Sequence, residues 1–228
     1  MTNAPTIITD VAAAEQLLLV RWEMASRDPL VFLRHFVWTC DQHDKDNPVK
    51  QFPVDRVYIP VMTNLWEHNL LLVIAKSRQM MMTWLFCALY LWDTMFHQGR
   101  LTILQSKRED DAIGNKDIGS GLMGRSKFIL EHIPGRQLLL PKYTEKANEL
   151  VFPELNSALL AIPQGANIIR QQTASGIFSD EAAFQEEFEQ SYVAATPCLR
   201  GGGRMTVLST PNPGSFMQKL YHDDMDAE

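Results

Sequence analysis

The sequence predicts an α/β domain: a mostly parallel sheet flanked by helices, with an N-terminal helical extension ahead of it. Three segments carry that expectation. Residues 70–75, 177–180 and 205–209 each read as a short apolar strand closed by polar residues of a distinct kind, and helix-patterned segments lie between them. In an open parallel sheet, ligands sit outside the carboxyl ends of the strands, so the polar groups that close these three are expected to converge.

Composition supports a globular chain. Its 228 residues can bury a full core as one domain, and 46% apolar with 21% charged residues is ordinary for such a protein. No apolar run approaches the length of a membrane span, and Met1-Thr2-Asn3-Ala4-Pro5 lacks the basic and apolar regions of a signal peptide. The three cysteines, Cys40, Cys87 and Cys198, are odd in number and far apart; they imply no disulfide framework and fit a reducing cytoplasm. A net charge of −6 argues against a chain coated with nucleic acid but leaves room for a local basic patch.

Taken in order, residues 11–21 and 29–39 read as helices, the second with Leu30, Phe32, Leu33, Phe36 and Val37 at helical spacing. Residues 40–48 form a polar loop. Cys40 and His43 have the spacing of half a zinc site, but no second Cys/His pair follows, so the loop reads as solvated. Phe52 and Tyr58 could stack on a base or serve as core or lid residues, and a helical run at 59–68 follows. Six successive apolar residues at 70–75 then read as a central strand buried on both faces. A polar turn leads into a helix at 83–98, a strand at 100–104 and a charged helix at 109–118. Gly119-Ser120-Gly121-Leu122-Met123-Gly124 matches the dinucleotide fingerprint letter for letter, but no strand precedes it, and it reads as a flexible loop. A short helix at 126–132 and a hairpin of 149–152 with 158–162 around Asn156-Ser157 come next. Helices at 181–191 and 215–223 complete the reading, with Asp223-Asp224-Met225-Asp226 as a charged tail.

The chemistry gathers at the three strand ends. A buried strand that turns sharply into a helix presents backbone N–H groups and the positive end of the helix dipole to an anion. The phosphate-loop pattern is Gly, four residues, Gly, Lys, then Ser or Thr. On residues 76–83 only Thr83 fits: Lys76 and Met81 stand at the glycine positions and Met82 at the lysine. A lysine at the first position could reach the same phosphates from the other side. The same residues also read as a core strand and helix joined by a polar turn. Asp180, at the end of its strand, can hold Mg²⁺ directly or through water, and Glu181 can polarise an attacking water; alternatively Asp180 caps the helix that follows. Ser209, Thr210 and Asn212 close the third strand with groups able to sense a γ-phosphate. Phosphate loop, Asp-Glu pair and sensor, in that order, make a P-loop NTPase of the ASCE/RecA-like kind.

At residues 52–221 the sequence resembles the large subunit of the terminase, the DNA-packaging motor of tailed bacteriophages. The resemblance rests on Lys76-Ser77-Arg78-Gln79-Met80, Ile177-Phe178-Ser179-Asp180-Glu181-Ala182-Ala183-Phe184 and Leu208-Ser209-Thr210-Pro211-Asn212. Some members carry the loop lysine at the start of the motif, as at Lys76. The family departs from this chain at Met81 and Met82, which replace a glycine and a lysine. The resemblance implies ATP and Mg²⁺ as cofactors. It places Lys76, Ser77, Arg78, Gln79, Met80, Met81, Met82 and Thr83 around the nucleotide, and Thr83 and Asp180 at the metal. It makes Glu181 the catalytic carboxylate, Arg78 a phosphate-sensing loop arginine, and Ser209-Thr210-Pro211 the segment coupling hydrolysis to movement. Arg170, eleven residues before Glu181, matches an arginine that some members insert into a neighbouring subunit's site.

The implied function is Mg-ATP hydrolysis that drives double-stranded DNA into a procapsid. Double-stranded DNA, a portal protein and a small terminase subunit are the implied partners. A homo-oligomeric ring is expected in the assembled motor and a monomer in isolation, in the host cytoplasm and without a membrane. Residues 1–51 are expected to be the helical extension and 52–228 the ATPase domain. Full-length members continue into an RNase H-type nuclease domain, so the chain is expected to be an isolated or truncated ATPase domain without nuclease activity. The alternatives are a helicase-like ATPase that remodels nucleic acid and a nucleotide-binding regulatory module without turnover.

Overall fold

A computed structural model describes residues 6–223; Met1–Pro5 and the acidic tail at Asp224, Met225 and Asp226 lie outside the described residues. The chain opens with α1 (Thr6–Arg27) and α2 (Pro29–Phe36). Between them, Asp28 accepts the N–H of Leu30 at 2.7 Å and of Val31 at 3.4 Å, while Pro29 takes the first helical position, where its missing N–H costs nothing. The helix expected to reach residue 39 stops at Phe36. Val37 is extended, and β1 (Trp38–Cys40) pairs antiparallel with β2 (Val49–Gln51), because the β-branched and aromatic run Val37-Trp38-Thr39 favours a pleated strand.

The remaining elements are α3 (Tyr58–His68), β3 (Leu71–Ala75), α4 (Met82–Phe96), β4 (Leu101–Ser106), α5 (Glu109–Ile113), α6 (Leu122–His132) and α7 (Arg136–Leu139). After them come β5 (Thr144–Lys146), β6 (Glu149–Phe152), β7 (Ser157–Pro163), α8 (Ala166–Gln171), β8 (Gly176–Asp180), α9 (Phe188–Arg200), β9 (Arg204–Ser209) and α10 (Phe216–Asp223). Seven strands form one sheet in the order β3-β9-β8-β4-β7-β6-β5. The first five are parallel, and β6 and β5 add an antiparallel margin. The hairpin expected at 149–162 is present as β6 and β7, with Asn156 left-handed (φ 51°) in its turn.

β3 is not the central strand. It is the edge, paired only with β9, and Leu71, Leu72, Val73 and Ile74 are half-buried. A continuous apolar run reports what covers the faces of a strand and carries no information about its edges.

The helix expected at 109–118 ends at Ile113. Gly114 (φ 66°) turns the chain there, and a Cβ at that position would lie 1.9 Å from the Ser120 carbonyl oxygen. Asn115 and Ser120 exchange backbone hydrogen bonds of 3.2 and 3.0 Å, so the glycine-rich stretch expected to be flexible is a pinned turn leading into α6. The helix expected from residue 181 begins at Phe188, after a single 3₁₀ turn at Ala182–Phe184.

α4 is buried on nearly all sides and joins the two halves of the molecule. The Tyr90 hydroxyl donates to the Ile177 carbonyl at 2.9 Å and meets Thr206 Oγ1 at 3.0 Å, fixing α4 beneath β8 and β9. On its far side Trp92 Nε1 donates to Ala25 O at 2.6 Å, and Trp22 and Phe32 pack on Phe96, which seats the N-terminal helices on α4. A second apolar cluster, with Ile103, Ile177, Met205, Phe188 and Ala195, fills the opposite face beneath α9.

Candidate active site

β3, β9 and β8 lie side by side and parallel, with Ala75 opposite Ser209 and Asp180 opposite Leu208. Their carboxyl ends therefore meet at one edge of the sheet. The Lys76 N–H donates to Ser209 O at 2.9 Å, Thr83 Oγ1 donates to Asp180 Oδ2 at 3.0 Å, and Lys76 Nζ lies 3.6 Å from Glu181 Oε1. The three segments singled out in the sequence are thus brought together.

The loop between β3 and α4 turns sharply without the glycines of the phosphate-loop pattern. Gln79 (φ 62°) and Met81 (φ 57°, ψ 8°) both take the left-handed conformation, Met81 at the position where the pattern has its second glycine. An L-residue pays about 1–2 kcal/mol for that conformation. α4 begins one residue later, Met81 O accepts the N–H of Leu85 at 2.9 Å, and the first N–H groups of the helix have no intrahelical partner. Met82, at the usual lysine position, is buried.

Asp180 is buried at the floor of this loop. Burial pushes its carboxyl above the ordinary range; the charge of Lys76 and the Thr83 hydrogen bond oppose that, the charge of Glu181 adds to it, and the net direction is up. It caps no helix: its Oδ1 accepts the N–H of Glu181 at 3.0 Å, and α9 starts only at Phe188. Glu181 is itself left-handed (φ 53°, ψ 35°), a strained turn that sends its side chain toward Lys76. Gln185 braces the turn by donating to Asp180 O at 2.8 Å and to Ser179 Oγ at 3.0 Å.

On the neighbouring strand, Ser209 is fully buried and its hydroxyl has no partner among the described residues. Thr210 is half-buried, and Asn212 Nδ2 donates to Ala183 O at 2.8 Å, tying the third segment to the turn after Glu181.

A cavity of about 590 Å³ opens in front of the loop. Lys76, Gln79, Met80, Met81, Met82 and Thr83 form one wall, the β1–β2 hairpin faces them with Thr39, Cys40, Asp41 and Lys50, and Arg125 enters from α6. Ser77 and Arg78 are exposed and do not line it. Arg170 is exposed on α8 and lines a different groove with Arg100 and Gly203, at the amino ends of the parallel strands. Phe52 is buried in the core, and the Tyr58 hydroxyl is paired with Arg56 Nη1 at 3.0 Å. Among the described residues no group of three or more metal-ligating side chains occurs, Cys40 and His43 included.

Sequence reasoning missed Gln185, the β1–β2 hairpin and Arg125. Each is a lone polar residue or a short strand whose place depends on tertiary packing, and no local pattern marks it.

The donor set suits a magnesium nucleotide. Thr83 and Asp180 present hard oxygen ligands, Lys76 a cation, and the start of α4 free N–H groups. A parallel sheet with a phosphate-loop-shaped turn before α4 and an acidic pair at the end of β8 is the P-loop NTPase fold. Within that fold the chain is similar to the ATPase domains of phage large terminases. The HK97 bacteriophage large terminase superposes with a TM-score of 0.61 at 13% identity over 89% of this chain. An alanine variant of the Thermus phage P74-26 large terminase ATPase domain gives 0.51 at 11% identity over 72% of this chain and 68% of its own. The chain spans 41% of the length of the HK97 protein. No protein-family model and no curated protein sequence matches it.

Proposed function

We propose that this chain is the ATPase motor domain of a terminase large subunit, hydrolysing Mg-ATP to translocate double-stranded DNA into a procapsid. The observation that carries the reading is the pair of contacts across the ends of β3 and β8: Thr83 to Asp180, and Lys76 to Glu181. The similarity in fold to large terminase ATPase domains supports the same reading.

In this account Thr83 and Asp180 would hold Mg²⁺, which would neutralise charge on the phosphates. The N–H groups at the start of α4 and the Lys76 ammonium cradle those phosphates. Glu181 orients and polarises the attacking water. The strained turn at Glu181 and its brace by Gln185 hold that carboxylate beside Lys76, which lines the cavity. Ser209 ends the strand between loop and acidic pair, and Thr210 and Asn212 follow it, where the loss of a phosphate would be felt and passed through Asn212 to the turn at Ala183. We assign residues 1–51 to an N-terminal extension and the rest to the motor domain. A portal protein, a small terminase subunit and a ring of copies of this chain complete the proposed machine.

A second reading, nucleotide binding without turnover, draws on one feature: Met82 puts a buried thioether where the pattern has its lysine. Phosphate release by the purified chain with Mg-ATP, with and without double-stranded DNA, separates the two. Turnover that rises with DNA is expected. Tight ATP binding with no phosphate release would favour the second reading, and failure to bind ATP would reject both.

A further inference from the structure

The phosphate-loop pattern places a cation at position 82 to meet the β- and γ-phosphates, and this chain has methionine there. Lys50, Arg56, Lys76 and Arg125 line the cavity. Lys50 is paired with Asp41 and Asp44, Arg56 donates to the Tyr58 hydroxyl, and Lys76 faces Glu181. Arg125 comes from a different layer of the fold, on the first turn of α6. Arg125 is half-buried, with Nη1 donating to Gly121 O at 2.9 Å and its guanidinium 5.5 Å from the ring centroid of Trp84, in the first turn of α4. Its Nε is buried and has no hydrogen-bond partner among the described residues, and none of the ion pairs among them involves it. Its charge acts on the buried Asp180 carboxylate, but no carboxylate lies within ion-pair distance of it among the described residues. A guanidinium that packs against the start of α4 and opens onto the cavity, with a buried donor unspent, is matched to an anion.

We propose that Arg125 binds the phosphate chain of the nucleotide within its own subunit, supplying the charge that Met82 cannot. The inference rests on the proposed nucleotide site. It makes α6 part of that site and gives the glycine-rich turn a purpose. Gly119 lies against Trp84, and Gly121 and Gly124 pack on Gly114 and Asn115, so this turn sets where α6 begins and where Arg125 sits.

The test is calorimetric titration of ATP, ADP and AMP, with Mg²⁺, into the parent chain and into Arg125→Ala, Arg125→Lys and Lys142→Ala. Arg125→Ala should weaken ATP and ADP by about ten- to a hundredfold and AMP far less, the loss of a charge-assisted contact to the outer phosphates. Arg125→Lys should recover part of the loss, and the exposed Lys142→Ala should bind as the parent does. If Arg125→Ala melts well below the parent, Arg125→Gln and Arg125→Lys carry the comparison, since both keep an aliphatic stem. Parent-like ATP affinity in a folded Arg125 variant overturns the inference alone. Equal loss for ATP and AMP marks a structural role and also overturns it. A parent chain that binds no ATP overturns both the inference and the site beneath it.

Discussion

Thr83 and Asp180, 97 positions apart in the chain, are joined by a 3.0 Å hydrogen bond from a helix hydroxyl to a buried carboxylate. The bond ties the start of α4 to the end of β8 across the intervening β9, and it pairs a hydroxyl in the first turn of a helix with an acidic strand end.

Thr83→Val keeps the shape and removes the hydroxyl. It leaves Asp180 Oδ2 without its donor in a buried site, so stability should fall by about 1–3 kcal/mol. The gain in ATP affinity that Mg²⁺ confers should also be lost. Urea unfolding and titration of ATP with and without Mg²⁺ check both; a variant that keeps the Mg²⁺ effect removes Thr83 from the metal site.

The left-handed residues of the loop make a separate prediction. Gln79 is exposed, so Gln79→Gly loses little packing while relieving backbone strain of about 1–2 kcal/mol, partly offset by the greater freedom of glycine in the unfolded chain. Its urea midpoint should rise. Met81→Gly gives up a half-buried side chain packed on the core, so its midpoint should move little. A destabilised Gln79→Gly would mean that this loop is not held in the conformation described.

Stability should also report on a buried network remote from the site. Asp93 accepts Arg100 Nε at 2.9 Å and Nη2 at 2.6 Å and lies 3.3 Å from His97 Nδ1. Burial works to raise the Asp93 carboxyl, but the His97 hydrogen bond and the charge of Arg100 outweigh it and the net direction is down. The hydrogen bond to Asp93 raises His97 above its ordinary 6.5, against desolvation. The contribution of charged His97 is therefore complete below about pH 6.5 and is lost as pH climbs through the raised folded value. His97 is half-exposed, so the effect should stay under about 1 kcal/mol. The stability gap between the parent and His97→Gln should close with rising pH; a gap that does not change with pH would contradict the pairing.

How much of this was legible in the sequence depends on whether a feature is local. The ends of β3, β8 and β9 were readable because each is an apolar run closed by a polar cluster within a few residues, and parallel order then forces the three ends together. The edge position of β3 was not, since strand order comes from pairing and the run Leu70–Ala75 would look the same in the middle of the sheet. The hairpin at Trp38 was hidden by apolar residues that continue the helical spacing of α2. Arg125 carries no local signal: its meaning comes from an unpaired Nε and from a cavity built by α4 and the hairpin.

Arg170 lies at the amino ends of the parallel strands, whereas Lys76, Glu181 and Ser209 lie at their carboxyl ends. A five-residue strand spans about 16 Å, which places Arg170 beyond the reach of its own site. If it serves a neighbouring copy, turnover per chain should rise with protein concentration, and Arg170→Ala mixed with Glu181→Gln should regain activity through hybrid sites. Flat turnover and no complementation would leave Arg170 a surface residue of the lower groove.

The central claim is that Glu181, beside Lys76 and next to Asp180, drives hydrolysis. Glu181→Gln keeps the volume and removes the carboxylate that orients water. Single-turnover phosphate release, measured beside ATP titration on the same preparation, tests the claim directly. The account predicts ATP affinity close to that of the parent and hydrolysis slower by about 10²-fold or more. Parent-like hydrolysis by Glu181→Gln would contradict it.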